Sequence, residues 1–286
     1  MKPSPLQILI ESSHGLAVPL PPKLSRIYGE LRMRRPRTDF HIFSNFVSSL
    51  DGIVSLKVRG HSGGGDISGF SRQDRLVMGL LRAVADAVVV GAGALAGDPQ
   101  HIWTSQAICP ELASEFRQLE TNVGKRGPPL NVLVSASGEV NLRLPVFAGG
   151  LVQAVILTTP AGAKRLLKHK VPNSVRIRAL PSRFGEIPAA AMLKSLAQLN
   201  AGRRILVEGG PQLLATFYKS RCLDEQFLSL APQIAGRASG DGRLGLVMGK
   251  TFAPRDPLWG KLVDARQGTR LLFLRYEFPR SRTPGV

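Results

Sequence analysis

Glu208-Gly209-Gly210-Pro211 stands where a buried strand gives way to a helix, in the stretch ILVEGGPQLLATF, residues 205 to 217. A carboxylate at the end of an apolar strand is costly unless it is paired or used. The two glycines let backbone approach a ligand closely, because no Cβ intervenes. Pro211 at the first helical position needs no partner for its missing N–H. The amides of Gly209, Gly210, Gln212 and Leu213 then point outward at the positive end of the helix dipole. That is an anion cradle suited to a pyrophosphate. A tight strand-to-helix turn with a solvent-facing Glu208 is the competing reading.

Three further segments carry groups that can do chemistry. Val90-Gly91-Ala92-Gly93-Ala94-Leu95-Ala96-Gly97-Asp98-Pro99 follows a second apolar run. Its GxGxxxG spacing is near a dinucleotide fingerprint. Asp98-Pro99 nevertheless stops any helix within a turn, where that fold needs a full crossover helix. It reads as a glycine loop touching a ligand without a Rossmann unit, or as a plain loop. RGHSGGGDISGF, residues 59 to 70, offers Ser62, Asp66 and Ser68, and Arg82 follows. Flexible backbone, hydroxyls and a guanidinium suit a phosphorylated sugar; a loop with Arg82 as a surface charge is the alternative. Ser135 and Ser137 follow the strand NVLV and can hold a 2′-phosphate or simply cap a turn. Asp51, before Gly52, is a turn residue first and a catalytic acid second. The five histidines show no metal spacing.

The elements needed to position these groups are legible as apolar patterns. HIFSNFVSSL, ADAVVVGAG, LNVLVSASG, QAVILTTP, VRIRAL and DEQFLSLAP read as strands, several of them buried on both faces. Ser71 with Asp74 three residues on resembles a capping box with Asp replacing Glu, opening a helix to about Ala85 with Leu76, Val77, Leu80, Leu81 and Val84 on one stripe. AGAKRLLKH and PAAAMLKSLAQLN read as further helices. WGKLVDAR and TRLLFLRYEF, joined by Gln267-Gly268, read as a hairpin. The sum is an α/β fold: a mostly parallel central sheet, helices on both faces and a C-terminal antiparallel hairpin. Ligands bind beyond the carboxyl ends of such strands, the edge that holds both glycine turns. Residues 1–38, rich in Pro and Arg, read as an arm packed on the domain with one short helix near Leu24 to Leu31, residues 39–280 as the domain, and 281–286 as a tail.

The chain has 286 residues and 43% hydrophobic composition, enough for a sizeable core. No apolar run is long enough for a membrane span, and the N-terminus makes a poor secretory signal. Cys109 and Cys222 are too few for a disulfide framework or a cysteine zinc site, which points to a reducing cytoplasm. The formal charge of +18 favours anionic partners. The basic residues are scattered rather than interleaved with aromatics, so no nucleic-acid surface is expected.

Together NFVSSLDG (45 to 52), the ISG segment, LLRAVADAVVVGAG (80 to 93), ILVEGGPQLL (205 to 214) and LDEQFLSLAPQIAG (223 to 236) resemble the RibD C-terminal family, the reductase domain of riboflavin biosynthesis. Its fold is similar to dihydrofolate reductase. The resemblance covers roughly residues 40 to 278. Bifunctional members add a deaminase half with His-x-Glu and Pro-Cys-x-x-Cys. The two cysteines here lie 113 positions apart, so the resemblance implies a stand-alone reductase.

The resemblance implies NADPH as cofactor and, as reaction, reduction of the ribosyl group of 5-amino-6-(5-phosphoribosylamino)uracil by hydride transfer to C1′ of its ring-opened form. It places cofactor binding on Gly91, Gly93, Ala94, Asp98 and residues Gly209, Gly210, Pro211, Gln212, Leu213 and Leu214; Ser135 and Ser137 join them on the residue reading given above. It places substrate on Ser62, Ser68 and Arg82, with Asn45 at a substrate-side position, and catalysis on Glu208; on the residue reading Arg82 holds the phosphate and Asp51 is a weaker catalytic candidate. A homodimer is implied. Ala94 stands where relatives usually have Thr, removing a hydroxyl contact worth about 0.5–1.5 kcal/mol, and Asn45 stands where bifunctional members have Lys. Rival readings are a dihydrofolate, pterin or other NADPH-dependent reductase on the same scaffold, and a basic binding module without catalysis.

Overall fold

Apolar runs too short for a buried helix make the centre of the sheet. The computed structural model describes residues 3–34, 39–58, 60, 61 and 63–279. In chain order the strands are β1 (Gln7–Glu11), β2 (Leu16–Ala17), β3 (Arg32–Met33), β4 (His41–Ser49), β5 (Ile53–Ser55), β6 (Ala87–Gly91), β7 (Leu130–Val134), β8 (Ala154–Thr158), β9 (Val175–Ala179), β10 (Arg204–Val207), β11 (Glu225–Ala231), β12 (Leu244–Gly245), β13 (Lys261–Gln267) and β14 (Leu272–Glu277). The helices are α1 (Pro22–Tyr28), α2 (Gly64–Ser68), α3 (Arg72–Val84), α4 (Ala92–Gly97), α5 (Ser105–Ile108), α6 (Ala113–Asn122), α7 (Pro145–Ala148), α8 (Pro160–Leu166), α9 (Ala189–Gln198) and α10 (Pro211–Lys219). Among the described residues, no helix is long and apolar enough to cross a membrane.

Ten strands pair into one sheet in the order β1-β13-β14-β11-β4-β10-β6-β7-β8-β9. From β11 to β9 every pairing is parallel; β14, β13 and β1 close the sheet antiparallel. The period of two along a strand then divides the core into two layers. Val88 and Val90 of β6 pack with Leu76, Leu80 and Phe116 from α3 and α6. Ala87 and Val89 pack with Met192, Leu196, Leu214 and Phe217 from α9 and α10 on the opposite face. The expected arrangement of helices on both faces is therefore present. α3 begins as its cap pattern predicts, with Ser71 Oγ accepting from the Asp74 amide at 3.3 Å. The hairpin turn closes through the Gly268 amide, which donates to the Leu271 carbonyl at 2.9 Å.

The N-terminal arm does more than pack on the domain. Its short apolar patch forms β1, paired antiparallel with β13, while Leu24, Ile27 and Tyr28 of α1 enter the core. The Arg266 guanidinium, stacked 4.1 Å over the Tyr28 ring and paired with Asp264, donates to the Glu30 carbonyl and ties arm to sheet. Within the glycine-rich stretch over 233–251, β12 pairs with β5.

Candidate functional site

The site is built where β4, β10 and β6 lie side by side. Register places Val207 of β10 opposite Ser44 of β4 and Val89 of β6, so Glu208 leaves the sheet at the level of Asn45. The chain leaves β4 for α3 on one face and β10 for α10 on the other. Adjacent strands feeding opposite faces open a crevice at their carboxyl ends.

Both glycine turns meet at this edge. A Cβ added to Gly209 would come within 2.9 Å of the Val90 Cβ and 3.1 Å of the Gly91 amide nitrogen, so only glycine lets the two turns touch. Gly210 has φ +71°, a left-handed conformation that disfavours side chains. A Cβ there, or at Gly93, would meet nothing within 4 Å among the described residues, which leave the outer side of the cradle open. No side chain caps α10 at Gly210, and the amides of Gln212 and Leu213 in its first turn have no intrahelical acceptor. This is a cradle that a side chain would fill, and it fits the pyrophosphate of a dinucleotide. Leu214 departs from the expectation. Its side chain is wholly in the core and its amide donates to the Gly210 carbonyl at 3.0 Å, so it has nothing to offer a ligand. Leu213 and Pro211 are also buried side chains.

Glu208 and Arg82 were placed apart by sequence reasoning, one for catalysis and one for the substrate phosphate. The structure joins them. Arg82 Nε donates to Glu208 Oε2 at 2.7 Å, with side chains 1% and 2% exposed. Arg82 Nη1 donates to the Thr104 carbonyl at 3.2 Å, and Asn45 Nδ2 approaches Glu208 Oε1 at 3.5 Å. Side chains on a helix lean toward its N-terminus, which brings Arg82 from the end of α3 toward this edge. Arg82 is thus neither a surface charge nor a free phosphate clamp; the strand-end carboxylate is paired.

Asp51 is corrected toward its turn role. Its carboxylate accepts from Ser49 Oγ at 2.6 Å and from the Ala235 and Gly236 amides at 3.1 and 2.7 Å. These bonds, Ser49 first, lower it to about 2. A carboxyl so held stays ionised and cannot donate a proton near neutrality.

Sequence reasoning took Asp74 as a cap alone. It is 4% exposed and turned inward, on the stripe of Val77 and Leu81. Burial pushes its carboxyl up to about 6; the Ser229 and Ser68 hydroxyls pull the other way, and the Glu208 charge adds to the rise. Spacing held the signal, since Asp74, Val77 and Leu81 recur at i, i+3 and i+7 on one helix face.

The other predicted residues divide. Ser68 lies beside Asp74 and donates to the Gly65 carbonyl at 3.3 Å. Ser62 lies outside the described residues. Asp98 caps the C-terminus of α4, is half exposed, and meets His101 Nδ1 at 3.1 Å. Burial, then the nearby Arg82 charge, hold His101 neutral by lowering it to about 4. Ala94 is partly buried against the core. The Ser137 hydroxyl accepts from the Glu139 amide at 3.2 Å, the turn-capping alternative, and Ser135 is buried with its amide donating to the Leu157 carbonyl at 3.0 Å.

Known proteins resemble this chain. The chain is 26% identical over 198 residues to the 2,5-diamino-6-ribosylamino-4(3H)-pyrimidinone 5′-phosphate reductase of Archaeoglobus fulgidus, covering 68% of this chain and 82% of that protein. It is 25% identical over 177 residues to riboflavin biosynthesis protein RibD of Aquifex aeolicus, covering 62% of this chain and 43% of that one. A pyrimidine reductase-like protein from Corynebacterium diphtheriae superposes with a TM-score of 0.65 at 20% identity, over 85% of this chain and 93% of that one. The deaminase/5-amino-6-(5-phosphoribosylamino)uracil reductase of Thermotoga maritima superposes with a TM-score of 0.61 at 16% identity, over 85% of this chain and 57% of that one. These likenesses are of fold, a dihydrofolate reductase-like sheet with flanking helices. The sequence pattern of the RibD C-terminal domain matches residues 40–269, and the chain belongs to that family.

Proposed function

We propose that this protein is an NADPH-dependent reductase of riboflavin biosynthesis, converting the ribosyl group of 5-amino-6-(5-phosphoribosylamino)uracil, or its 2,5-diamino pyrimidinone counterpart, to the ribityl form. The observation that carries the reading is the open cradle of Gly93 and Gly210 joined at Gly209, beside a polar floor of Asn45, Glu208 and Asp74. When bound there, NADPH supplies a hydride. The chain's own residues do the rest. Backbone amides of the Gly209–Leu213 turn bind the pyrophosphate. The buried Arg82–Glu208 pair fixes the Asn45 amide at the reacting edge, where a low local dielectric strengthens its field. Arg82 is occupied by Glu208, so the substrate phosphate falls to cations beside the glycine-rich segment. Arg75, half-buried, is a candidate, its guanidinium steadied by the Phe70 carbonyl at 2.9 Å. A homodimer and a cytoplasmic setting belong to the same proposal.

The test is in two steps. Quenching of protein fluorescence by NADPH is expected to saturate at micromolar levels, and steady-state oxidation of NADPH is expected only with the phosphoribosylamino-pyrimidines. Saturable quenching with turnover on dihydrofolate instead would assign the pterin reductase reading. Absence of quenching would assign the binding module.

A further inference from the structure

The last turn of α3 carries Arg82, the residue that Glu208 meets at 2.7 Å. A helix leaves its last four carbonyls without intrahelical partners, and a left-handed glycine just past the end commonly helps to satisfy them. α3 ends differently. Ala85 closes it at φ −70° and ψ 141°, its amide donating to the Leu81 carbonyl at 3.0 Å, and β6 follows at Ala87. The carbonyls of Arg82, Ala83 and Ala85 are taken by one side chain from elsewhere. Lys125 Nζ donates to them at 3.4, 2.9 and 2.5 Å, which uses all three ammonium donors. The neighbouring helix delivers that lysine. α6 closes on Gly124 at φ +82°, with the Gly124 amide donating to the Thr121 carbonyl at 2.9 Å and the Lys125 amide to the Glu120 carbonyl at 2.8 Å. The residue after such a glycine is frequently apolar and packs back on its own helix. Here it is Lys125, half-buried, and its ammonium crosses to the end of α3, the negative end of that helix dipole. Burial lowers the ammonium to about 8 although Glu120 and Asp86 oppose the fall, so it is charged at neutral pH.

Resting on the reductase reading above, we propose that Lys125 is a positioning residue of the reductase site: by closing the last turn of α3 it holds Arg82 against Glu208 and, through Glu208, the Asn45 amide at the reacting edge. Each link is a contact in the structure. Lys125 holds the Arg82 carbonyl, Arg82 Nε donates to Glu208 Oε2 at 2.7 Å, and Asn45 Nδ2 approaches Glu208 Oε1 at 3.5 Å. The ammonium is spent on backbone carbonyls, so Lys125 acts on the site through Arg82. Without it the three carbonyls lose their partner, the last turn loosens, and the guanidinium loses its fixed approach to the carboxylate.

Lys125→Met keeps most of the stem and removes charge and donors; Lys125→Arg keeps both. Expected for Lys125→Met are NADPH quenching within about twofold of wild type and kcat lower by about tenfold to a hundredfold, the cost of a small misplacement far from the chemistry. Lys125→Arg is expected to return kcat to within about threefold, since arginine also caps the end of a helix. A readout without ligands shows the route. Urea unfolding of the wild type, Lys125→Met, Glu208→Gln and the double variant is expected to be non-additive, the double variant's unfolding constant changing by about threefold to tenfold less than the product of the single changes, because both substitutions act on Arg82. Should Lys125→Met not fold, Lys125→Gln, with one amide left to donate, replaces it in both measurements. Additive unfolding overturns the action through Arg82. A kcat as low in Lys125→Arg as in Lys125→Met overturns the part given to the cation. Full kcat in Lys125→Met overturns the positioning role and leaves the reductase reading standing. No turnover by the wild type overturns both.

Discussion

Replacing Glu208 by Gln should unfold this protein more than it alters its chemistry, and the size of the effect follows from the pair. Arg82 and Glu208 are 1% and 2% exposed and meet at 2.7 Å. Two donors converge on the two carboxylate oxygens, Arg82 Nε and Asn45 Nδ2. Gln offers one acceptor, so its NH₂ must face one of those donors. With the Gln oxygen turned to Arg82, the guanidinium keeps that neutral acceptor and the Thr104 carbonyl at 3.2 Å but loses the opposing charge. Removing one member of a buried ion pair costs about 3–5 kcal/mol, because the other charge is left without compensation. At 2–4 °C per kcal/mol for chains of comparable size, the midpoint of thermal unfolding should drop by roughly 10 °C. Replacing both partners together, Arg82→Met with Glu208→Leu, removes both charges and should recover most of the loss. Urea unfolding of the wild type, both single variants and the double variant gives the coupling directly. A Glu208→Gln protein within about 0.5 kcal/mol of wild type would refute the buried pair and favour the competing reading of a solvent-facing Glu208.

Other perturbations separate the roles. Gly209→Ala brings a methyl to 2.9 Å from Val90 Cβ; the two turns must part, and NADPH affinity by fluorescence quenching should fall more than tenfold. Ala94→Thr restores a hydroxyl worth about 0.5–1.5 kcal/mol, which should tighten NADPH about two- to tenfold in the same titration. Asp51→Ala frees the Ala235 and Gly236 amides; hydrogen exchange there should speed up while the kcat pH profile stays in place. Glu225 is raised by burial but pulled down to about 2 overall by His41 and Arg275. A depressed carboxyl gives stability above its unfolded pKa and loses it as pH falls, so Glu225→Gln should flatten the acid limb of urea stability between about pH 4.5 and 2.

Local pattern and distant partnership account for what was legible in the chain. β6, α3 and the turn after Val207 were readable because each declares itself within a dozen residues: an apolar run, a cap with a stripe, a glycine pair before proline. β1 was not, because all five of its residues are exposed and its partner lies some 250 positions away, so no alternation marks it. The site follows the same division. The two glycine turns are properties of short sequence, and both lie at the strand ends where they were expected. The Arg82–Glu208 pair joins residues 126 positions apart, and no spacing in either segment points to the other. Reading each alone left Arg82 without the carboxylate it meets. Asp74 shows a subtler obstruction, since its backbone role at the cap was sufficient to explain it and concealed the side chain. A residue that satisfies one local rule can still break another, and a carboxylate on a buried stripe breaks the rule that buried charge is paired. That violation is visible in the chain at i, i+3 and i+7, and it is what sets Asp74 apart from the apolar residues that share its stripe.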